Sequence, residues 1–253
     1  MSVSIIPVTG IGEVHPGDDL AGIILSAVEG CDAGGDPTGR VSSDAERPPA
    51  GLADGDVIVV TQKVVSKAEG RLVAVDPTDP RSHKVHVEAE AVRILRRRGD
   101  LIMTETRHGF VCANSGVDLS NVEEGWAALL PIDPDRSARR IRDGLVARSG
   151  LRLAVIVSDT FGRAWRRGVT DVAIGSAGVA AVVDLRGTRD ALGRELAVTE
   201  VCVADELAGA AELVMGKAGG IPVAIVRGVD HSWLRESSVR EEIVRPHQED
   251  LFR

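Results

Sequence analysis

The sequence predicts a mixed α/β (α+β) protein with a buried sheet, because short aliphatic runs are separated by helical patterns along the chain. The runs that predict buried strands are Val3–Val8, Val57–Val60 with its continuation to Val65, Leu153–Val157, Val179–Val183 and Val223–Val226. Aromatic residues make up only 2% of the chain and Tyr does not occur, so the core must be aliphatic. Strand and helix patterns alternate too irregularly along the chain to predict the order of the strands in the sheet.

Capping residues and apolar spacing predict four helices. The first follows Asp18, which can cap it, and its apolar residues recur on one face. The second covers His86–Arg98, where acidic residues come early and arginines late, as the helix dipole prefers. The third begins at Asp133-Pro134, which match an N-cap and a first helical residue. The fourth covers Ala204–Met215 and stops at a glycine.

The length of 253 residues suits one large domain, and we expect a single domain over residues 1–253, with room for two lobes. Two segments rich in turn-forming residues interrupt the pattern, and they are predicted to be an insertion at Ala33–Gly51 and a linker at Asp76–His83. No internal repeat is found in the sequence.

Charge and cysteine content narrow the class of protein. The formal net charge is −8, so nucleic acid and anionic membranes are not expected partners. No stretch reaches the roughly 18 apolar residues that a membrane span needs. Cys31, Cys112 and Cys202 lie far apart without C-x-x-C spacing, which fits a reducing compartment. We therefore expect a cytoplasmic protein.

Common catalytic motifs do not occur. The sequence has no P-loop, no Rossmann glycine fingerprint, no G-x-S-x-G elbow and no H-E-x-x-H. Its six His show no spacing typical of metal ligands. The candidate catalytic and binding residues are therefore those that offer oxygen ligands or cationic side chains.

One such segment follows the predicted strand at Leu153–Val157. Asp159 and Thr160 offer a carboxylate and a hydroxyl group, which suit Mg²⁺ or Mn²⁺ at the carboxyl end of a strand. Arg163 follows and can bind phosphate or carboxylate oxygens. An equally good alternative is that Asp159 caps a turn and the arginines lie on a solvated face.

Three further segments carry weaker signals. Asp118 is a candidate second metal carboxylate and Asn121 a ligand of a base or phosphate, although Asx turns explain this segment better. Lys63 and Lys67, two of only four lysines, follow a strand and can neutralise a phosphoryl group, or they are ordinary surface lysines. The loop Met215–Pro222 can form an anion nest, or it is an ordinary helix end. Together the segments fit metal-assisted phosphoryl chemistry better than hydride transfer or acyl-serine chemistry.

Five longer strings resemble the coenzyme F420-0:γ-glutamyl ligase family, in the same order from Pro7 to about Gly228. The strings are G-x-x-D-G-D-V-x-V-V at 51–60, V-S-K-A-E-G at 65–70, N-S-G-V-D-x-S-N-V at 114–122, D-T-x-G-R-x-x-R-R-G at 159–168 and G-R-E-L at 193–196. The resemblance implies a mixed α/β fold particular to this family and an intertwined homodimer. It also implies a GTP-dependent ligase that adds L-glutamate to F420-0 and extends the product by γ-linked residues.

The resemblance also implies roles for individual residues. Asp118 and Asp159 would hold one Mg²⁺ or Mn²⁺ and Thr160 a second, with K⁺ as a helper. In the mechanism that we expect, Lys67 or Arg163 would steady the transferring phosphoryl group. The residues that would line the GTP site are Ile11, Gly12, Glu13, Val14, Gln62, Lys63, Lys67, Asn121, Met215, Gly216, Lys217, Ala218, Gly219, Gly220 and Ile221.

This sequence departs from the family pattern at Lys217, where archaeal members can place an acidic residue that serves the second metal. Bacterial relatives often continue into a flavin-binding domain, which we do not expect in this chain. Two other functions stay open from the sequence. One is a nucleotide-dependent acid–amine ligase with a different acceptor, and the other is a nucleotide-binding module without catalysis.

Overall fold

The structure of the protein is a computed structural model that describes residues 2–30 and 51–250, so the predicted insertion at 33–51 lies outside the described residues except for Gly51. The described strands are β1 (Ser4–Val8), β2 (Val57–Thr61), β3 (Leu72–Ala74), β4 (Ala91–Arg98), β5 (Leu101–Thr106), β6 (Val111–Ala113), β7 (Trp126–Ala128), β8 (Ala154–Gly162), β9 (Val169–Ala177), β10 (Val183–Asp184), β11 (Glu200–Val201) and β12 (Val223–Arg227). The described helices are α1 (Leu20–Gly30), α2 (Gln62–Ala68), α3 (Lys84–Glu90), α4 (Pro134–Ser149), α5 (Val203–Met215) and α6 (Val239–Glu242).

A five-stranded sheet in the order β1-β12-β2-β8-β9 forms the centre of the fold. Among the paired strands of this sheet, only β2 and β8 are parallel to each other. Their register places Thr61 opposite Ser158. Because they are parallel, the segments that follow them leave the sheet at the same edge.

Helices cover both faces of this sheet. Ile58 and Val60 of β2 pack in one apolar cluster with residues of α1 and α4. Val57 and Val59 point to the other face and pack in a second cluster with residues of α5 and α6. A strand that is buried on both faces carries apolar residues at every position, which explains the continuous aliphatic runs of the sequence.

A smaller region stands beside the central sheet. It contains the three-stranded sheet β4-β5-β6, the pair β3-β7 and helix α3. Its own apolar cluster includes Val87, Ile102 and Leu129. The chain passes through this region between α2 and α4, so residues before and after it both belong to the central sheet.

The predicted mixed α/β class is confirmed. Helix α4 begins as the sequence predicts, because the Asp133 side chain accepts a hydrogen bond from the Arg136 N–H at 2.9 Å and Pro134 occupies the first turn. The predicted first and fourth helices correspond to α1 and α5. Among the described residues, no helix is both long and apolar enough to cross a membrane.

The predicted helix at His86–Arg98 is wrong. Helix α3 ends at Glu90, and the following eight residues form strand β4. This strand pairs with β5, and Arg93 lies 2.9 Å from Glu105 on the neighbouring strand. The charge order along the segment fits a helix dipole, but pairing with a strand further along the chain determines the conformation.

Three predicted strands also have different limits. The continuation of β2 to Val65 is wrong, because Gln62–Ala68 forms a helix. The strand predicted at Leu153–Val157 extends to Gly162, because its second half pairs with β9. At Val179–Val183 only the last residue lies in a strand, although Val179 is buried. Gly178 has a φ of +80° just before this segment, and such a backbone conformation ends β9 there.

Candidate functional site

Four of the predicted site segments meet at one edge of the central sheet. Helix α2 and the second half of β8 extend beyond the paired residues Thr61 and Ser158. β1 ends at this edge and β12 begins there, because Val8 lies opposite Val223 in an antiparallel pair. The loops at 11–14 and 215–221 therefore lie beside Lys63 and Asp159. The strand order, which the sequence does not predict, brings these segments together.

Asp118 belongs to the smaller region and contacts Lys63 at this edge of the central sheet. The Lys63 ammonium group donates to Asp118 Oδ2 at 2.7 Å and to Ser120 Oγ at 2.7 Å. The backbone of Asp118 pairs with Ala128, which fixes the start of the loop. Lys63 is thus a paired, largely buried side chain rather than a solvated surface lysine.

The Asx turn predicted as the alternative for this loop also forms. The Ser120 N–H donates to Asp118 Oδ1 at 2.7 Å. Burial alone would raise the pKa of Asp118, but the hydrogen bonds from Lys63 and Ser120 outweigh it and lower the pKa below its usual value. Each carboxylate oxygen has a further lone-pair direction, so the turn does not prevent Asp118 from binding a cation.

Asp159 has the opposite electrostatic environment. Burial is the largest cause that raises the pKa of its carboxyl group to about 7, and the charges of Asp118 and Asp171 raise it further. The Thr160 N–H and the charge of Lys63 act in the other direction. Asp118 and Asp159, which are 41 residues apart in the sequence, are therefore close enough for their charges to interact.

These two carboxylates fit a divalent cation. Mg²⁺ and Mn²⁺ prefer carboxylate oxygens, and a nearby cation favours the ionised form of a buried acid. The described residues contain no group of three or more His, Cys, Asp or Glu side chains that could hold a metal. A cation held by Asp118 and Asp159 would therefore take its other ligands from substrate oxygens and water, as Mg²⁺ commonly does at phosphate sites.

The surroundings of Thr160 do not fit a second divalent cation in the same way. Its hydroxyl group donates to Asp171 Oδ1 at 2.7 Å and accepts a hydrogen bond from the ammonium group of Lys217. Lys217 also pairs with Asp171 and with Glu212. The positive charge in contact with the Thr160 hydroxyl group is therefore that of the Lys217 ammonium group.

Asp171 and Glu212, which both pair with Lys217, were not predicted from the sequence. Asp171 lies in β9 opposite Thr160, and it is only 3% exposed. The available signal was a charged residue within the run Val169–Ala177, which is otherwise apolar or small apart from Thr170 and Ser176. Because that run was not predicted as a strand, its Asp could not be placed beside Thr160.

Lys67 and Gln62 lie on α2, and Lys67 contacts the loop at 11–14. The Lys67 ammonium group donates to Glu13, which ties the loop to the helix. Gln62 is 1% exposed, and its Oε1 accepts from Ser66 at 2.9 Å. Its Nε2 has no hydrogen-bond partner among the described residues. A buried donor of this kind is costly to leave unpaired, which fits a ligand that supplies the missing acceptor.

Arg163, Asn121 and residues 216–220 lie on exposed loops, whereas Met215 is the last residue of α5 and is buried, as is Val14. The Arg163 guanidinium group donates to the Arg167 carbonyl at 3.0 Å within its own loop. Asn121 is exposed and has a φ of +53°. In the loop after α5, Gly216 and Gly220 have φ values of +59° and +66°. These conformations favour glycine, and they suit a loop whose N–H groups face an anion.

The fold and the site together define an α/β protein that gathers carboxylates, lysines and a hydroxyl group at one edge of its sheet. The sequence model of the family described as F420-0:Gamma-glutamyl ligase matches residues 10–228 of this chain. This match covers most of the chain, so the protein belongs to that family.

Archaeal relatives match the chain over nearly its whole length, and each carries the name coenzyme F420:L-glutamate ligase. The protein of Methanothermobacter thermautotrophicus is 42% identical and covers 100% of both chains. The protein of Methanopyrus kandleri is 41% identical over 95% of this chain and 94% of its own. The protein of Archaeoglobus fulgidus is 39% identical over 100% of this chain and 97% of its own.

Proposed function

We propose that this protein joins L-glutamate to coenzyme F420-0 in an amide bond, extends the product by γ-linked glutamates and consumes GTP. Membership of the γ-glutamyl ligase family and the names of the relatives support the acid and the amine substrates. The contact of Lys63 with Asp118, together with the electrostatic interaction of both residues with Asp159, carries the proposal of a metal-bound nucleotide at this edge of the sheet.

The proposed reaction has two steps. A carboxylate oxygen of F420-0 attacks the γ-phosphorus of GTP, the bond to the β,γ-bridging oxygen breaks, and GDP leaves. The product is an acyl phosphate. The amine of L-glutamate then attacks the acyl carbon, inorganic phosphate leaves with the bonding electrons, and the amine loses a proton.

The residues of the site contribute to both steps. Asp118 and Asp159 would hold a Mg²⁺ or Mn²⁺ ion, which would offset charge on the phosphate oxygens. Lys63 holds Asp118 at 2.7 Å and adds positive charge beside it. Lys67 is largely buried, and its ammonium group is oriented by Glu13 at the loop proposed for the nucleotide.

The nucleotide is proposed to lie across the loops that meet at this edge. The N–H groups at 11–14 and 215–221 would face its phosphates, and Gln62 would donate its unpaired Nε2 hydrogens. Asn121 would contact the base. Arg163 would steady the transferring phosphoryl group after its loop turns toward the site, and K⁺ would balance the remaining negative charge.

We also propose a cytoplasmic homodimer. Strand β4 exposes the apolar side chains of Val92, Ile94 and Leu95, which a second copy would cover. Cys112 and Cys202 are free thiols, which fits the reducing conditions of the cytoplasm.

The function can be tested by incubating the purified chain with F420-0, L-glutamate, GTP and Mn²⁺. Mass spectrometry should show products that are longer by whole glutamyl residues, with one GDP for each amide bond. Asp159→Asn keeps the size of the side chain and removes its charge, so turnover should fall about 100-fold or more. Circular dichroism should show an unchanged fold.

Asp143→Asn is the matched control, because Asp143 is an exposed carboxylate on α4 that pairs with Arg142. Its turnover should equal that of the wild type. Release of GDP and inorganic phosphate without any glutamyl product would show that the chain hydrolyses GTP and does not use F420-0 as the acceptor of glutamate. Binding of GTP without substrate-dependent GDP release would indicate a binding module, and either result would refute the proposed function.

A further inference from the structure

The ammonium group of Lys217 is surrounded by oxygen atoms from three elements of the fold. It donates to Thr160 Oγ1 on β8, to Asp171 Oδ1 on β9 at 2.8 Å and to Glu212 on α5, whose Oε1 is 2.9 Å away. An ammonium group has three N–H donors, and here it has three oxygen acceptors. The lysine thus satisfies a set of oxygens that would otherwise face one another.

Asp171 is a rigid part of this arrangement. Its side chain is 2% exposed, whereas that of Lys217 is 54% exposed and reaches the oxygens from the solvent side. Ser158 donates to Asp171 Oδ2 at 3.1 Å and Thr160 donates to Oδ1 at 2.7 Å. The oxygens of Thr160 and Asp171 are therefore held by the β8–β9 pair, and the lysine is the component that can be removed without disturbing the core.

The chemistry of these oxygens is that of a hard-cation site. Two carboxylates and a hydroxyl group are ligands typical of Mg²⁺ and Mn²⁺. With Lys217 present, the two carboxylates already have one positive charge between them. A divalent cation at the same oxygens would meet the like charge of the ammonium group at short range.

We infer that the Lys217 side chain takes the place of a second divalent cation beside Thr160, so that this chain binds one divalent cation fewer than a variant without the lysine. This inference rests on the proposed function only for the position of the first cation. The positive charge beside Thr160 is then a permanent part of the chain and does not depend on the concentration of free metal.

The test counts Mn²⁺ ions bound to the full chain in the absence of nucleotide, using the electron paramagnetic resonance signal of free Mn²⁺ during a titration with MnCl₂. Lys217→Gln keeps most of the length of the side chain and removes the charge, so it should bind one more Mn²⁺ per chain than the wild type. Lys217→Arg keeps the charge and should bind the same number as the wild type. Because Lys217 is exposed, both variants should fold.

The position of the additional ion is tested by a second substitution. In Lys217→Gln combined with Asp171→Asn, the additional Mn²⁺ should be lost, while circular dichroism verifies the fold. Equal Mn²⁺ counts for the wild type and Lys217→Gln would overturn the inference, as would a gain of Mn²⁺ in Lys217→Arg. The titration needs no turnover, so its failure is distinguishable from failure of the ligase assay.

Discussion

Asp135 should be among the residues whose loss destabilises the protein most, because one carboxylate ties three elements together. It lies in the first turn of α4 and is 6% exposed. Oδ1 accepts from the Ser176 N–H of β9 at 2.9 Å and from the Val239 N–H of α6 at 2.8 Å. Oδ2 accepts from the Arg240 N–H at 3.1 Å.

The cost of Asp135→Ala follows from these contacts. The N–H groups of Ser176 and Val239 are buried, and each would cost about 1–3 kcal/mol without an acceptor. The Arg240 N–H is partly buried and adds less. The expected loss is about 3–5 kcal/mol, which lowers the melting temperature by roughly 10 °C in a chain of this size.

Urea unfolding followed by circular dichroism measures this loss, with Asp133→Ala as the control. Asp133 lies two residues earlier and accepts one exposed hydrogen bond, from Arg136, so its removal should cost about 1 kcal/mol. Equal losses for the two variants would refute the reasoning, because the three contacts of Asp135 would then contribute no more than an ordinary helix cap.

Two further predictions concern packing and thiol reactivity. Gly175→Ala would place a Cβ 2.3 Å from the Pro134 carbonyl group, so thermal unfolding should show a loss of about 3 kcal/mol or more. Gly209→Ala is the control, because its Cβ would lie 3.6 Å from the nearest atoms, and it should change the free energy of unfolding by no more than about 1 kcal/mol. A similar loss of stability in both variants would contradict the steric explanation. Burial raises the pKa of Cys112 and of Cys202 to about 12, so at pH 8 only about 10⁻⁴ of each thiol is ionised. In a Cys31→Ser variant, a disulfide reagent should therefore label Cys112 and Cys202 slowly in the native protein, and faster as the pH rises. In guanidinium, which unfolds the protein, both thiols should be labelled at once. Rapid labelling of the native protein at pH 8 would contradict the raised pKa values.

Several elements were predictable because their causes are local. The Asp133-Pro134 start of α4 depends on residues within one turn. The aliphatic run of β2 is apolar at every position because the strand is covered on both faces. The long strings around Asp118 and Asp159 were sufficient to identify the family, which the family match confirms.

Other elements depended on partners far along the chain. His86–Arg98 has the charge order of a helix, but β5 supplies backbone partners that make its second half a strand. Asp171 lies in a run that was not predicted as a strand, and the pairing of β9 with β8 places it opposite Thr160. Neither outcome can be derived from the periodicity of the segment itself, because the competing hydrogen bonds come from other strands.

The sequence by itself determined the mixed α/β class, the buried strands of the central sheet, the family and a set of oxygen and lysine candidates, because composition, capping and motif spacing are properties of short segments. The tertiary structure alone decided which candidates meet. The strand pairs of the central sheet bring Lys217 to Asp171, and the pairing of Asp118 with Ala128 in the smaller region positions Asp118 beside Lys63. These contacts join residues 55 and 46 positions apart, and long-range strand pairing is what places them together.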